Sequence, residues 1–290
     1  MNKCPSVESG DAGNAESCKG CPNAKLCASA KPDEDIPIIR NNLKNVKFIL
    51  AVLSGKGGVG KSTISRNIAS HMAKNGFNTL LLDFDLSGPS IPRLTKTSEN
   101  FIFHPDLGFK PIEVENNLST ISIGHLETAD DQSTVYNTGT KNYAIKKILK
   151  NCDFSRVEIM IIDTPPNITD EHLALVNYIK PDCSVILTTP QNISFDDAIR
   201  QINFCKKANI SILGVVENMK GFTCSLCSHK NIVFRESRVE EYCSQNGLNY
   251  IGSIELRTEI SRESDSGNTV NEDVFSDIAK MVANRLAKKD

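Results

Sequence analysis

Hydrophobic and polar positions follow two alternating patterns along most of the chain. Short, continuous apolar runs are typical of strands buried on both faces of a sheet. They occupy Phe48–Leu53, Thr79–Asp83, Val157–Asp163, Cys183–Thr188 and Ile210–Val216. Apolar residues recur at helical spacing in Lys61–Lys74, Asn142–Leu149, Glu171–Tyr178, Phe195–Lys206, Arg238–Gln245 and Glu272–Lys289. Alternating strands and helices predict an α/β fold, a doubly wound and mostly parallel sheet with its ligand site at the strands' carboxyl ends.

The first residues do not share this pattern. Residues 1–36 are rich in small polar side chains and contain Cys4, Cys18, Cys21 and Cys27. We interpret residues 1–36 as a Cys-rich N-terminal tail that becomes ordered around a ligand, and residues 37–290 as the folded α/β domain.

Composition narrows the classes of function. The 290 residues include 39% hydrophobic and 23% charged residues, and the net charge is -2. This balance gives no support for nucleic-acid binding, and no apolar run is long enough to span a bilayer. The first twenty residues also lack the apolar stretch of a secretory signal, so we expect a cytoplasmic or nuclear protein with no membrane partner. Thiols are reduced there, and the ten cysteines need an explanation other than disulfides.

A phosphate-binding motif follows the first predicted strand and opens the first predicted helix of this domain. Residues 55–62 fit the pattern G-x-x-x-x-G-K-[ST]. Backbone N–H groups of such a loop surround the phosphates, and Lys61 reaches the β- and γ-phosphates. Ser62 is the expected Mg²⁺ ligand, and Thr63 contacts the α-phosphate. The predicted nucleotide-binding residues are Gly55, Gly57, Gly58, Val59, Gly60, Lys61, Ser62 and Thr63. A glycine-rich turn with an accidental lysine is the alternative, and the strand–loop–helix order argues against it.

Acidic residues end two of the predicted strands. Asp163 ends the third strand, where a carboxylate beside a phosphate-binding loop is suited to hold the Mg²⁺ shell. Asp83 ends the second strand and Asp85 follows it, and we expect a structural role for Asp83. Strand ends rich in Asp and Pro also occur as plain turns, which is the alternative for each of these residues.

Lys56 makes the motif resemble a particular family. The run Lys56–Lys61 resembles the deviant Walker A ATPases, which include MinD, ParA, the nitrogenase iron protein and Mrp-type ATPases. The resemblance implies that Lys56 reaches the nucleotide of a partner chain across a dimer, where a cation stabilises charge on the γ-phosphate. It also implies that Asp85 positions or deprotonates the attacking water. A solvated surface lysine is the alternative for Lys56.

Further segments are similar to the Mrp/NUBP branch of that family, whose members are scaffold ATPases for iron–sulfur cluster assembly. They are residues 85–90 (DLSGPS), 163–166 (DTPP), 189–191 (TPQ) and 216–219 (VENM). The resemblance covers residues 46–289 together with the tail, and it is strongest to members with a ferredoxin-like tail. It implies that Asn218 contacts adenine. The chain departs from the branch at three places: Asn167 replaces Gly, Asn137–Thr140 replaces Trp-Arg-Gly-Pro, and Ser225 replaces Pro.

The tail cysteines supply four thiolates, with the spacing C-x13-C-x2-C-x5-C. A [4Fe–4S] cluster needs four ligands of this kind, and a four-cysteine zinc site is the alternative. The family resemblance favours a cluster held by Cys4, Cys18, Cys21 and Cys27.

A second cysteine motif lies far from the tail. Cys224 and Cys227 form a C-x2-C pair, and two chains related by a two-fold axis would bring four thiolates together. The resemblance implies a labile [4Fe–4S] cluster bridging the dimer. A zinc half-site with His229 is the alternative. A redox dithiol is less suited to the pattern because the pair does not open a helix.

These features predict an ATP-hydrolysing scaffold that assembles [4Fe–4S] clusters and transfers them to cytosolic and nuclear apoproteins. Its expected cofactors are ATP, Mg²⁺ and two [4Fe–4S] clusters. Its expected partners are apoprotein clients and a second chain, in a homodimer or in a heterodimer or heterotetramer with a related P-loop ATPase. A partitioning ATPase with a structural zinc site is the main alternative, and it gives the cysteine motifs no part in the activity. An electron-transfer ATPase like the nitrogenase iron protein would use separated single cysteines as cluster ligands.

Overall fold

An eight-stranded, mostly parallel β-sheet forms the centre of the fold. The computed structural model describes residues 14–19, 24, 33–98, 103–104, 108–125, 138–234 and 237–288. The strands are β1 (Phe48–Ser54), β2 (Thr79–Asp83), β3 (Phe103–His104), β4 (Gly108–Phe109), β5 (Ile112–Glu115), β6 (Leu118–Ile121), β7 (Ile159–Asp163), β8 (Cys183–Thr188), β9 (Ser211–Asn218), β10 (Phe222–Thr223), β11 (Lys230–Asn231) and β12 (Tyr250–Ile254). This confirms the predicted fold class, and the predicted strands agree with the observed ones to within two residues at each end.

The strand order places the phosphate-binding loop at the middle of the sheet. Across the sheet the order is β12-β9-β8-β1-β7-β2-β6-β5. All neighbours are parallel except β5 and β6, which pair antiparallel at one edge. The ends of β1, β2 and β7 therefore meet at one edge of the sheet, where Val52 pairs with Asp163 and Asp83 pairs with Asp163.

Helices cover both faces of the sheet and bury two apolar cores. They are α1 (Asp35–Asn42), α2 (Lys61–Lys74), α3 (Ile91–Leu94), α4 (Thr138–Asn151), α5 (Asp170–Ala174), α6 (Asn192–Ala208), α7 (Val239–Gln245), α8 (Thr258–Asp265) and α9 (Asp273–Leu286). One core contains α4, α6 and α7 side chains, and the other contains those of α2 and α9. None of the helices in the described ranges is long and apolar enough to cross a membrane.

Helix α2 holds the phosphate-binding loop in place because it is buried along almost its whole length. Gly60, in a left-handed conformation (φ 86°), ends the loop and starts the helix. Ile68, Ala69 and Met72 are fully buried against the sheet. The helix stops before Gly76, whose φ of 89° favours glycine. This packing fixes the end of the loop that joins the helix at Gly60.

Several observed elements were not predicted, and three features change the picture. Helix α5 is short and continues as a π-helical turn over Leu175–Ile179. Strand β12 adds to the far edge of the sheet beside β9. Helix α1 crosses the proposed boundary between residues 36 and 37, and Ile39 is buried in the core. The division into 1–36 and 37–290 stays a prediction, and α1 belongs physically to the folded body.

Candidate functional site

The phosphate-binding loop leaves β1 and wraps round to the start of α2. Gly58 and Gly60 adopt positive φ angles of 78° and 86°, which L side chains rarely adopt. Gly55 lies against helix α6, and a Cβ there would be 2.3 Å from the carbonyl carbon of Asp197. The glycines are therefore required by backbone conformation and close packing, which leaves the loop's N–H groups open to a phosphate chain.

Lys61 and Asp163 form a buried pair at the base of this loop. Lys61 Nζ lies 2.8 Å from Asp163 Oδ1, and the Ser65 hydroxyl donates to the same oxygen at 2.7 Å. Asp163 is fully buried, and its Oδ2 has no hydrogen-bond partner among the described residues. A buried carboxylate oxygen without a partner costs free energy unless a ligand occupies it. The arrangement fits a cation or a cation-bound water at Asp163 Oδ2.

A cavity of about 350 Å³ lies against the loop. The residues that line it are Ser54, Lys56, Gly57, Gly58, Gly60, Lys61, Ser62, Thr63, Asp85, Ser90, Arg93, Leu94, Pro166, Ser264 and Asp265. Lys56 is half-buried, and its ammonium makes no ion pair with any described residue. The structure therefore brings Lys56, Lys61, Ser62, Thr63 and Asp85 to one cavity. Their roles in binding and catalysis stay predictions.

Asp83 is a buried hydrogen-bond acceptor beneath this cavity. Its Oδ2 accepts from the Ser122 hydroxyl at 2.9 Å and from the Ile91 N–H at 3.2 Å, and its Oδ1 accepts from the Asp85 N–H. Burial and the neighbouring Asp163 raise the pKa of Asp83 to about 7. These contacts fit the structural role that we expect for Asp83.

Asp85 differs from Asp83 because it faces the cavity and is partly exposed. Its Oδ1 accepts the N–H groups of Ser87 at 3.2 Å and Gly88 at 3.1 Å, which closes a tight turn round the carboxylate. This turn orients one oxygen toward its own backbone. It gives Asp85 the defined position that a residue aligning a water molecule needs.

Asn218, at the end of β9, lies against the phosphate-binding loop. Its Nδ2 donates to the Val59 carbonyl at 2.8 Å. A Cβ at Gly60 would lie 2.4 Å from the same nitrogen, so only glycine fits there. Contact with adenine stays a prediction. The observed bond ties the end of β9 to the loop.

Sequence reasoning missed Ser264 and Asp265, which reach this cavity from the C-terminal part of the chain. The Ser264 hydroxyl is buried and has no hydrogen-bond partner within the described ranges. The loop after α8 is held to α2 by two residues: Arg66 donates to the Gly267 carbonyl at 2.6 Å, and the side-chain oxygen of Asn67 accepts from Val270 N–H. The sequence feature that could have indicated a contact here is the adjacent polar pair Arg66-Asn67, beside the phosphate-binding motif.

The C-x2-C pair lies in the loop of a short hairpin formed by β10 and β11. The Ser228 N–H donates to the Cys224 carbonyl at 2.8 Å and closes the turn. Backbone N–H groups of Cys227 and Leu226 point at the Cys224 sulfur and lower the pKa of its thiol, which favours the metal-binding thiolate. The pair does not open a helix, which argues against a thioredoxin-like dithiol. Across the described ranges, no group of three or more His, Cys, Asp or Glu side chains surrounds one point.

The other cysteines divide into a tail group and a buried group. Cys4, Cys21 and Cys27 lie outside the described residues, and Cys18 ends a short 3₁₀ helix (Glu16–Cys18) with its side chain buried. Their shared ligand role stays a prediction. Cys152, Cys183, Cys205 and Cys243 are buried in the body. Burial raises the pKa of the Cys205 and Cys243 thiols to about 11, so they are inert.

His172 makes the stability of the folded protein depend on pH. It is fully buried just beyond Asp163 in sequence, and burial lowers its pKa to about 4. Between about pH 4 and 6.5, the histidine binds a proton in the unfolded chain, where its pKa is near 6.5, but not in the folded chain. The His172 contribution to stability is therefore present above about pH 6.5 and is lost as the pH falls toward 4.

We expect wild-type protein to lose about 3 kcal/mol more unfolding free energy than His172→Gln between pH 7 and 4. Glutamine keeps the capping contact with Thr169, which His172 makes at the start of α5. Urea unfolding at several pH values measures the difference. Asp83, with its raised pKa, stabilises the fold as the pH falls, which is the opposite effect. Both proteins contain Asp83, so its contribution cancels from the difference between them. Parallel pH curves for the two proteins would contradict the buried neutral histidine.

Comparison with known proteins places the chain in a family. Residues 45–289 match the model of the ParA family described as NUBPL iron-transfer P-loop NTPase. The chain is 38% identical to the cytosolic Fe–S cluster assembly factor NBP35 of Kluyveromyces lactis, over 92% of this chain and 84% of the relative. It is 37% identical to the cytosolic Fe–S cluster assembly factor Nubp1 homolog of Drosophila sechellia, over 93% of this chain and 91% of the relative. A solved nucleotide-binding protein of Archaeoglobus fulgidus in complex with ADP shares 29% identity and superposes with a TM-score of 0.72, covering 82% of this chain and 95% of that one.

Proposed function

The chain belongs to the NUBPL iron-transfer P-loop NTPase family, and we propose that it is an ATP-dependent scaffold that assembles [4Fe–4S] clusters and transfers them to cytosolic and nuclear apoproteins. The named relatives that match over most of its length are cytosolic iron–sulfur cluster assembly factors, which supports both the activity and the compartment. As a P-loop NTPase, the chain has the machinery of a nucleotide-hydrolysing enzyme. Coupling of hydrolysis to cluster assembly or transfer is the proposal.

One structural observation carries this function: the phosphate-binding loop and the cysteine hairpin are joined by a short, hydrogen-bonded path. Asn218 donates to the Val59 carbonyl, and the hairpin begins at Phe222, after a short link from the end of β9. Gly221 adopts a φ of 73°, and its carbonyl accepts the Leu256 N–H at 2.9 Å, which anchors the hairpin to the body. A change in the loop on nucleotide binding therefore has a direct mechanical route to Cys224 and Cys227.

The residues present fit Mg-ATP. Gly58 and Gly60 have positive φ angles, and Asp163 Oδ2 offers a buried oxygen without a partner among the described side chains. Lys61 would hold the β- and γ-phosphates, Ser62 would ligate Mg²⁺, and Asp163 would accept from its water shell. When bound, Mg²⁺ supplies charge neutralisation at the phosphates. With nucleotide bound, Lys61 would exchange its contact with Asp163 for the phosphates.

The thiol pair supports assembly with a second chain. Two thiolates are half of the ligands that a [4Fe–4S] cluster needs, and a two-fold axis supplies the other half. Leu226, between the cysteines, is 96% exposed, and Ile232 is 82% exposed. Apolar side chains this exposed beside an incomplete ligand set favour burial against a partner chain. The partner is a second copy or a related P-loop ATPase, and Lys56 would reach that partner's nucleotide.

Anaerobic reconstitution with iron and sulfide tests the proposal. The expected product has a broad visible absorption band and transfers clusters to an apoenzyme that needs a [4Fe–4S] cluster for activity. Activation of that apoenzyme should be faster with Mg-ATP than without nucleotide. Iron, sulfide and zinc are measured on anaerobically purified protein as the control. Zinc alone, with no iron uptake and no transfer, would instead support the partitioning ATPase with a structural zinc site.

A further inference from the structure

Lys141 joins two segments that follow different strands of the sheet. Its Nζ donates to the Ser87 hydroxyl at 2.7 Å and lies 2.7 Å from Glu171 Oε1. Ser87 belongs to the loop after β2, and Glu171 belongs to α5, which follows the loop after β7. Lys141 itself is on α4, a separate element. One ammonium group therefore cross-links three elements at the edge of the sheet that carries the nucleotide cavity.

The Ser87 end of this link acts on the turn round Asp85. The Ser87 N–H donates to Asp85 Oδ1, so the residue that Lys141 holds by its hydroxyl also fixes the Asp85 carboxylate. Ser87 is exposed. The contact with Lys141 therefore adds a tertiary restraint at the tip of this turn.

The Glu171 end is buried and depends on the lysine. Glu171 is 1% exposed, and its Oε2 has no hydrogen-bond partner in the described part of the chain. Burial raises the pKa of this carboxyl, but the Lys141 ammonium and the Thr169 side chain outweigh it, and the pKa lies below its usual value. A charged carboxylate in this position requires its cation, because an unpaired buried charge is costly. The pair therefore keeps α4 and α5 in one fixed arrangement.

We infer that Lys141 is a positioning residue for nucleotide hydrolysis, which holds the loop that carries Asp85 in register with helix α5, the element that follows the Asp163 strand. The inference rests on the proposed ATPase activity and deepens it. In P-loop NTPases the metal-holding carboxylate and the water-positioning residue must be in place together for the transition state. Neither contact of Lys141 reaches the phosphate-binding loop. Lys141 therefore affects the rate of the chemical step and leaves nucleotide affinity almost unchanged.

Steady-state ATP hydrolysis of Lys141→Met, Lys141→Arg and Ser87→Ala tests this role. We expect kcat to fall about 10- to 100-fold in Lys141→Met, with KM and the Kd for a fluorescent ADP within about twofold of wild type. Arginine, which keeps the cation, should restore much of the rate. Ser87→Ala removes only an exposed hydroxyl, so the protein should stay folded. Its kcat should also fall, by less than that of Lys141→Met.

Lys146→Met is the matched control, because Lys146 lies on the same helix and pairs with Asp33 and Asp35 away from the cavity. It should keep wild-type kcat. The inference is wrong if Lys141→Met and Lys146→Met lose unfolding free energy alike and both keep wild-type kcat. It is also wrong if Lys141→Met raises KM and Kd with kcat unchanged. Absence of hydrolysis by the wild-type chain itself would overturn the proposed ATPase and this inference together, so the two failures are told apart by the wild-type rate.

Discussion

Replacing Lys61 with alanine is expected to reduce ATP hydrolysis by roughly 100- to 1000-fold or more. Lys61 is the buried cation at the base of the phosphate-binding loop, where it pairs with Asp163 at 2.8 Å. No other described lysine or arginine pairs with that carboxylate. Removing the ammonium takes away both the contact to the β- and γ-phosphates and the charge that offsets the transition state. The hydrolysis rate and the Kd for a fluorescent nucleotide analogue are the measurements.

The same substitution also affects folding, and a second variant separates the two effects. Lys61→Ala leaves Asp163 buried with only Ser65 as a partner, which costs about 3 kcal/mol of unfolding free energy. The double variant Lys61→Ala/Asp163→Asn removes the unpaired charge, so its stability should recover. Its hydrolysis should not recover. If the rate returned with stability, Lys61 would have a structural role only.

Two other lysines provide comparisons for Lys61. Lys74 lies at the exposed C-terminal end of the same helix, and Lys74→Ala should hydrolyse ATP at the wild-type rate. Lys56 is half-buried in the cavity wall, and Lys56→Ala should lower the rate more than the affinity, because we expect it to act on charge at a partner's phosphates. An equal loss of rate and affinity in Lys56→Ala would argue against a role across the dimer.

The central part of the fold was predictable because its strands are short and apolar throughout. Strands β1, β2, β7 and β8 are buried on both faces, so each appears in the sequence as a continuous hydrophobic run. The edge strands are different. Strand β5 (Ile112–Glu115) alternates apolar and acidic residues, and β12 (Tyr250–Ile254) contains Gly252 and is half-exposed. A strand that is packed on one side only gives a weak signal, because most of its stability comes from a neighbour that is distant in sequence.

The site was predictable where one short segment makes all of it. Residues 55–63 carry the glycines, the lysine and the hydroxyls in fixed order, and local backbone geometry positions them. Contacts between distant segments were not predictable. Ser264 reaches the cavity because Arg66 and Asn67 bind the loop that follows it, and Lys141 reaches Ser87 and Glu171 only after α4 and α5 have packed. No local pattern encodes such distances, because they depend on the order of strands in the sheet.

Replacing Cys224 with alanine is expected to remove about four iron atoms per reconstituted dimer and to weaken association of the chains. The pair lies on a hairpin outside both apolar cores, so folding should be unaffected. Each chain would then contribute only Cys227 to a site that needs four thiolates from two chains. The tail cysteines should still bind their cluster, because the tail provides four ligands of its own. Iron and sulfide analysis with analytical ultracentrifugation measures both effects.

Changes in the tail should produce a different loss. In a homodimer, Cys18→Ala should remove about eight iron atoms per dimer, twice the loss of the Cys224 variant, and leave association intact. Cys243→Ala, which changes a buried thiol with no ligand role, should keep both the iron content and the dimer. The bridging site is shared between two chains, and Cys227 is exposed, so a chelator should remove its cluster before the tail cluster. Unchanged iron content and unchanged association in Cys224→Ala would rule out a bridging cluster and leave a zinc site with His229, or a structural role, as the explanation of the pair.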